Sequence, residues 1–98
     1  MKEFSINDKK KYTDILAGSL SAFRAMLELS QSELSKLIDV SRNTVYLIET
    51  KKRDMSWSAF VALTLLFLKN DKTKSLVEVI GLYDDKLDNF LMCVDKRR

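Results

Sequence analysis

Apolar residues recur along the chain at helical spacing. Tyr12, Ile15, Leu16, Leu20, Phe23 and Leu27 fall on one stripe and predict a first helix of about 15 residues. The polar residues 1–10 before it are expected to fray. Leu34, Leu37 and Ile38 share one face of a short second helix, Val45 and Ile48 share one face of a third, and Val40 plugs the corner between them. Ser30 and Glu33 have the spacing of a capping box, in which the hydroxyl and the carboxylate each accept a backbone N–H at the helix start. Ser41 is placed to cap the third helix, which runs to about Thr50, and Ser56 a fourth over Trp57–Lys69. A polar break at Asn70–Thr73 precedes a tail, Lys74–Asp95, that is helical by pattern.

The fourth helix is apolar nearly all round, from Trp57 through Leu68, so it needs cover on two sides. The first and third helices supply one side. The tail is the candidate for the other. Its residues Leu76, Ile80, Tyr83, Leu87, Phe90 and Val94 are spaced 4, 3, 4, 3, 4, a heptad seam. Gly81 interrupts the seam and Asp84 can cap a new helix, so the tail is one helix or two. Folded back, it covers its own chain. Paired with a second copy, it makes a homodimer. The surplus apolar residues Val77, Val79, Leu82, Leu91 and Met92 favour both together.

Composition narrows the class. Ninety-eight residues without proline and with only two glycines make one all-α domain the expectation, since strands need more turn punctuation. Cys93 is the single cysteine and there is no histidine, which excludes an internal disulfide, the usual zinc sites and histidine-based triads. No enzyme chemistry and no cofactor are expected, and a reducing, cytoplasmic setting is the simplest one. The charged N-terminal stretch does not read as a signal peptide, and the apolar run Ala59–Leu68 is far short of the roughly 20 residues of a membrane span. Net charge is +3, a mild value, but Lys51, Lys52 and Arg53 cluster directly after the third helix.

Residues 30–53 therefore read as helix, tight turn, helix and basic run, the pattern of a helix-turn-helix. Here the chain resembles the phage-repressor or Xre-like helix-turn-helix family. The resemblance spans about Ile15–Phe67 and is carried by Gln31, Glu33-Leu34, Ser35, Val40, Ser41-Arg42, Thr44-Val45, Ile48-Glu49, Lys52-Arg53 and Ser56. It implies four core helices in a phage-repressor-like DNA-binding domain over residues 1–70, with residues 71–98 as one or two tail helices that pack on it and dimerise. Ser35 stands where a small residue lets the motif helices approach. Arg24 and Glu49 stand where the family often joins the first helix to the third by an ion pair. Glu28, Asp39 and Lys51 stand where it often has glycine at left-handed helix ends, and Met55 replaces a common proline.

What the resemblance implies is sequence-specific binding of double-stranded DNA by a transcriptional regulator, a repressor that occludes a promoter. The third helix presents Arg42 and Asn43 at its N-terminal end, with Leu47 one turn on. Arginine pairs with guanine, asparagine with adenine, and leucine meets a thymine methyl. Gln31, Ser41, Thr44, Lys51, Lys52 and Arg53 are the phosphate candidates, Gln31 by the family's use of that position. Leu76, Ile80, Tyr83, Leu87 and Phe90 form the expected dimer interface, suited to a palindromic operator. Two alternatives stand beside this reading. One is the antitoxin of a toxin–antitoxin pair, whose partner is a toxin or another regulatory protein. The other is a protein-interaction module that does not read DNA.

Overall fold

The computed structural model describes residues 4–93 and contains six helices and no strand among them: α1 (Ile6–Met26), α2 (Gln31–Leu37), α3 (Arg42–Glu49), α4 (Trp57–Lys69), α5 (Asp71–Val79) and α6 (Asp85–Leu91). The chain is thus all-α over that span. Ser30, Ser41, Ser56 and Asp84 are all N-caps, and each side chain accepts a backbone N–H from the third residue on. The tail is two helices, split at Gly81.

α1 starts six residues earlier than Tyr12. Ser5 caps it, accepting from Asp8 N at 3.1 Å, while the Asp8 carboxylate accepts from Ser5 N at 2.8 Å. Residues 4–10 are therefore not a frayed lead-in. A Ser-x-x-Asp box closes the orphan N–H groups that would otherwise favour fraying. Phe4, just before the cap, stacks on Phe90 with ring centroids 4.2 Å apart and on Tyr12 at 5.6 Å.

The helix ends share one device. After α1, Leu29 N donates to Arg24 O and Glu28 N to Ala25 O. After α3, Lys52 N donates to Leu47 O and Lys51 N to Ile48 O. After α5, Leu82 N donates to Val77 O and Gly81 N to Glu78 O. Each is a Schellman closure, which needs a left-handed residue after the cap. Gly81 takes φ +81°, but Glu28, Asp39 and Lys51 take φ 56°, 57° and 61° without being glycine. The turn after α2 has the same outer bond, Val40 N to Ser35 O.

One apolar core runs from α1 to α6. Leu16, Leu20 and Phe23 of α1 meet Leu34, Val45, Ile48, Phe60, Leu63 and Phe67, and the same cluster continues through Val77 and Leu82 to Leu87. α4 packs against both α1 and α5, so the tail covers part of it, while Leu65 stays 59% exposed. The Thr73 hydroxyl, fully buried in α5, donates to Phe67 O at 2.7 Å and ties the two helices. α6 is held over the start of α1: Tyr12 donates to Asp84 at 2.6 Å and Lys86 to Asp8 at 2.7 Å.

The expected heptad seam is not a continuous surface. Gly81 turns the chain, so α5 and α6 do not share one stripe. Leu87 is fully buried inside its own chain and cannot meet a partner. Leu76, Ile80 and Tyr83 pack partly on the core, and Phe90 stacks on Phe4. Val94, the last seam position, lies outside the described residues. The large apolar residues exposed on the tail are Val79 at 80%, Leu91, Met92 and, of the expected seam, Phe90. Leu37 also departs from expectation. It is 58% exposed, while Leu34 alone of the α2 stripe is fully buried. No described helix is long and apolar enough to cross a membrane.

Candidate functional site

α2 and α3 are short helices that hold little structure on their own. Their geometry is imposed by the elements around them. Val45 and Ile48 bury one side of α3 in the core. Ser35 of α2 is buried and donates its hydroxyl to Ser32 O at 2.7 Å, so it brings no unpaired polar group into the interior.

The end of α3 is fixed by a charged network. Arg24 of α1 donates from Nε to Glu49 Oε2 at 2.9 Å and from Nη2 to Glu49 Oε1 at 3.1 Å, and its Nη1 donates to Leu29 O at 3.0 Å. Gln31 of α2 donates to Glu49 Oε1 at 3.0 Å. Three helices thus converge on one carboxylate. Burial pushes the Glu49 carboxyl up, but the hydrogen bonds from Arg24 and Gln31 and the Arg24 charge more than offset it, and it lies below the usual value. The hydrogen bond to Glu49 raises Arg24 above its own. The Gln31 side chain, expected at a phosphate, is engaged here. What it leaves for an anion is the first-turn backbone of α2.

With α3 anchored, its outer face presents Arg42, Asn43 and Tyr46, all exposed. No hydrogen bond or ion pair holds the Arg42 or Asn43 side chain among the described residues. Leu47 is half-buried rather than free. Its carbonyl accepts from both Lys52 N and Arg53 N, so the loop that follows α3 folds back against it.

That fold-back gathers the polar candidates. Arg53 reaches nine residues back and donates from Nη1 to Thr44 Oγ1 at 3.1 Å, and Thr44 also shares a hydroxyl contact of 2.9 Å with Ser41. Ser41, Thr44 and Arg53 therefore form one cluster at the N-terminus of α3. No acidic residue stands in the first turn of α3 to neutralise the partial positive charge there. Lys52 lies over the Tyr46 ring, with Nζ 6.0 Å from its centroid. Lys51 runs along α1, its Nζ 3.6 Å from where a Cβ on Gly18 would stand. The helix and the loop thus present one basic and hydroxyl-rich face.

Helical spacing puts Tyr46 on the exposed face but assigns it no role, and it does not single out Lys10. Tyr46 is a large exposed aromatic with a cation over it. Lys10 of α1 reaches the same loop, and nothing in the local pattern links residues 10 and 53. Compared with protein-family models, with curated proteins and with solved structures, the chain matches none.

Proposed function

We propose that the chain binds double-stranded DNA sequence-specifically, as a transcriptional regulator, with α2 and α3 used as a helix-turn-helix in a phage-repressor-like domain. One observation carries the reading. α3 is locked from behind by Val45, Ile48 and the Arg24–Glu49–Gln31 network, while Arg42 and Asn43 stand unengaged on its exposed N-terminal turn. A rigid helix with free, base-competent side chains at its leading end is what major-groove readout requires. Ser41, Thr44 and Arg53 beside that turn, and Lys51 and Lys52 behind it, supply the phosphate contacts that set register. The protein acts here without catalysis, by occupying its site.

Leu47 has a smaller role than its sequence position suggests. Being half-buried, it offers a thymine methyl only part of its side chain. A homodimer remains part of the proposal without Leu87, which is spent in the core, while Phe90 stays exposed together with Val79 and Leu91.

The test is selection of bound duplexes from random sequence. A recurring motif of base pairs supports the reading, and an inverted repeat supports the dimer. Recovery of no enriched sequence, together with no shift of any duplex at low salt, refutes it.

A further inference from the structure

Between α1 and the loop after α3 lies an open cleft of about 310 Å³, whose charged lining is Lys10, Lys51, Arg53, Asp14 and Asp54. Three cations from two separate elements meet there. Two carboxylates answer them unequally. Lys10 Nζ lies 3.3 Å from Asp14 and 4.0 Å from Asp54, and the Asp54 side chain is 92% exposed. Exposed pairs of this kind hold weakly, at about 0–1 kcal/mol, so an incoming dianion or phosphodiester can take the lysine from them. Arg53 lines the cleft and also bonds Thr44 at the head of α3. The cleft is thus continuous with the face assigned above to DNA.

We infer that this cleft is a backbone-phosphate site for duplex DNA, with Lys10 as a contact alongside Lys51 and Arg53. Asp14, which accepts a hydrogen bond from Lys10, and the looser Asp54 are built-in competitors that hold Lys10 until phosphate displaces them. The inference rests on the DNA-binding reading and extends it to a helix outside the α2–α3 pair. It commits to a strand rather than a free ion because Arg53 ties the cleft to α3, so one sugar-phosphate run passing the head of α3 passes Arg53 and then the cleft. It also makes the negative effect of Asp54 on affinity depend on Lys10, whereas general repulsion between a carboxylate and phosphate would be the same without that lysine.

The experiment measures affinity of the full chain for its selected duplex across salt, for wild type, Lys10→Met, Asp54→Asn, the double variant, and Asp85→Asn as a change of equal charge outside the cleft lining. Lys10→Met is expected to weaken binding several-fold and lower the salt slope by about 0.9, one phosphate's worth. Asp54→Asn is expected to tighten binding several-fold and Asp85→Asn to leave it nearly unchanged. The Asp54→Asn gain should shrink when Lys10 is already Met. An unchanged salt slope in Lys10→Met, or an equal Asp54→Asn gain in both backgrounds, overturns the cleft site while leaving DNA binding intact. Wild type that binds no duplex overturns both. Displacement of the duplex by millimolar inorganic phosphate, at constant ionic strength, marks a free-anion site and also overturns the inference.

Discussion

Replacing Glu49 by alanine tests how α3 is held. The Glu49 side chain is 8% exposed and accepts three hydrogen bonds, two from Arg24 and one from Gln31. Breaking a fully buried pair from one side costs about 3–5 kcal/mol, because the surviving charge is left unpaired. Arg24 is 21% exposed and keeps its bond to Leu29 O, so solvent and the carbonyl soften that penalty. The expected loss is about 2–3 kcal/mol, against a total stability of roughly 5–15 kcal/mol for a domain this size. In melting temperature that is a drop of roughly 10–20 °C. Denaturant unfolding of wild type, Arg24→Met, Glu49→Ala and the double variant forms a cycle. The double should cost clearly less than the sum of the singles, since neither charge is then stranded. Acid should mimic the substitution. The Glu49 carboxyl is depressed in the folded state, so its contribution is present above the unfolded value and is lost as pH falls through the folded one. A Glu49→Ala cost below about 0.5 kcal/mol, or strict additivity in the cycle, would show the network to be ornamental surface charge.

Three further outcomes follow from other parts of the molecule. Glu28→Gly should stabilise by about 0.5–1 kcal/mol, because relief of a left-handed glutamate exceeds the chain entropy glycine adds, whereas Gly81→Ala should destabilise; thermal melts giving the opposite signs would contradict the closure geometry. Leu87→Ala should cost about 2–5 kcal/mol, and a change within error would mean α6 is not part of the core. Arg42→Ala should reduce the preference for the selected duplex over random duplex by about 1–3 kcal/mol per lost base contact; equal weakening on both would make Arg42 a phosphate ligand instead.

Local chemistry made much of this fold legible. Ser30, Ser41 and Ser56 mark helix starts because a hydroxyl before an apolar period has one favoured use. Left-handed backbone at Glu28, Asp39 and Lys51 was readable only through resemblance, since none of the three residues favours it. Other features depend on distant partners. The start of α1 rests on Ser5 and Asp8, whose box resembles an ordinary charged stretch, and on Phe4, which has value only once Phe90 is nearby. In the tail, Gly81 and Asp84 marked the break between two helices, and only the seam count misled, for a definite reason. A heptad count assumes one straight helix, and the positive φ at Gly81 rotates α6 away, so Val77, Leu82 and Leu87 enter the core in place of a uniform seam. At the candidate site, Arg42 and Asn43 were placed correctly on an open face. Gln31 was not fully predictable, because what engages its side chain is Glu49 on another helix.

The clasp between α6 and the start of α1 bears on how the molecule is made. Phe4 meets Phe90, Asp8 meets Lys86 and Tyr12 meets Asp84, so contacts that finish the core join residues more than seventy positions apart. A ribosome delivers α1 to α4 first, with the all-round apolar α4 bare on the side that α5 will cover. The nascent chain must therefore remain sticky and incomplete until α6 has emerged. Burial of α4 waits until α5 and α6 have both been made, and a chain arrested at residue 70 leaves that face open to chaperones and proteases.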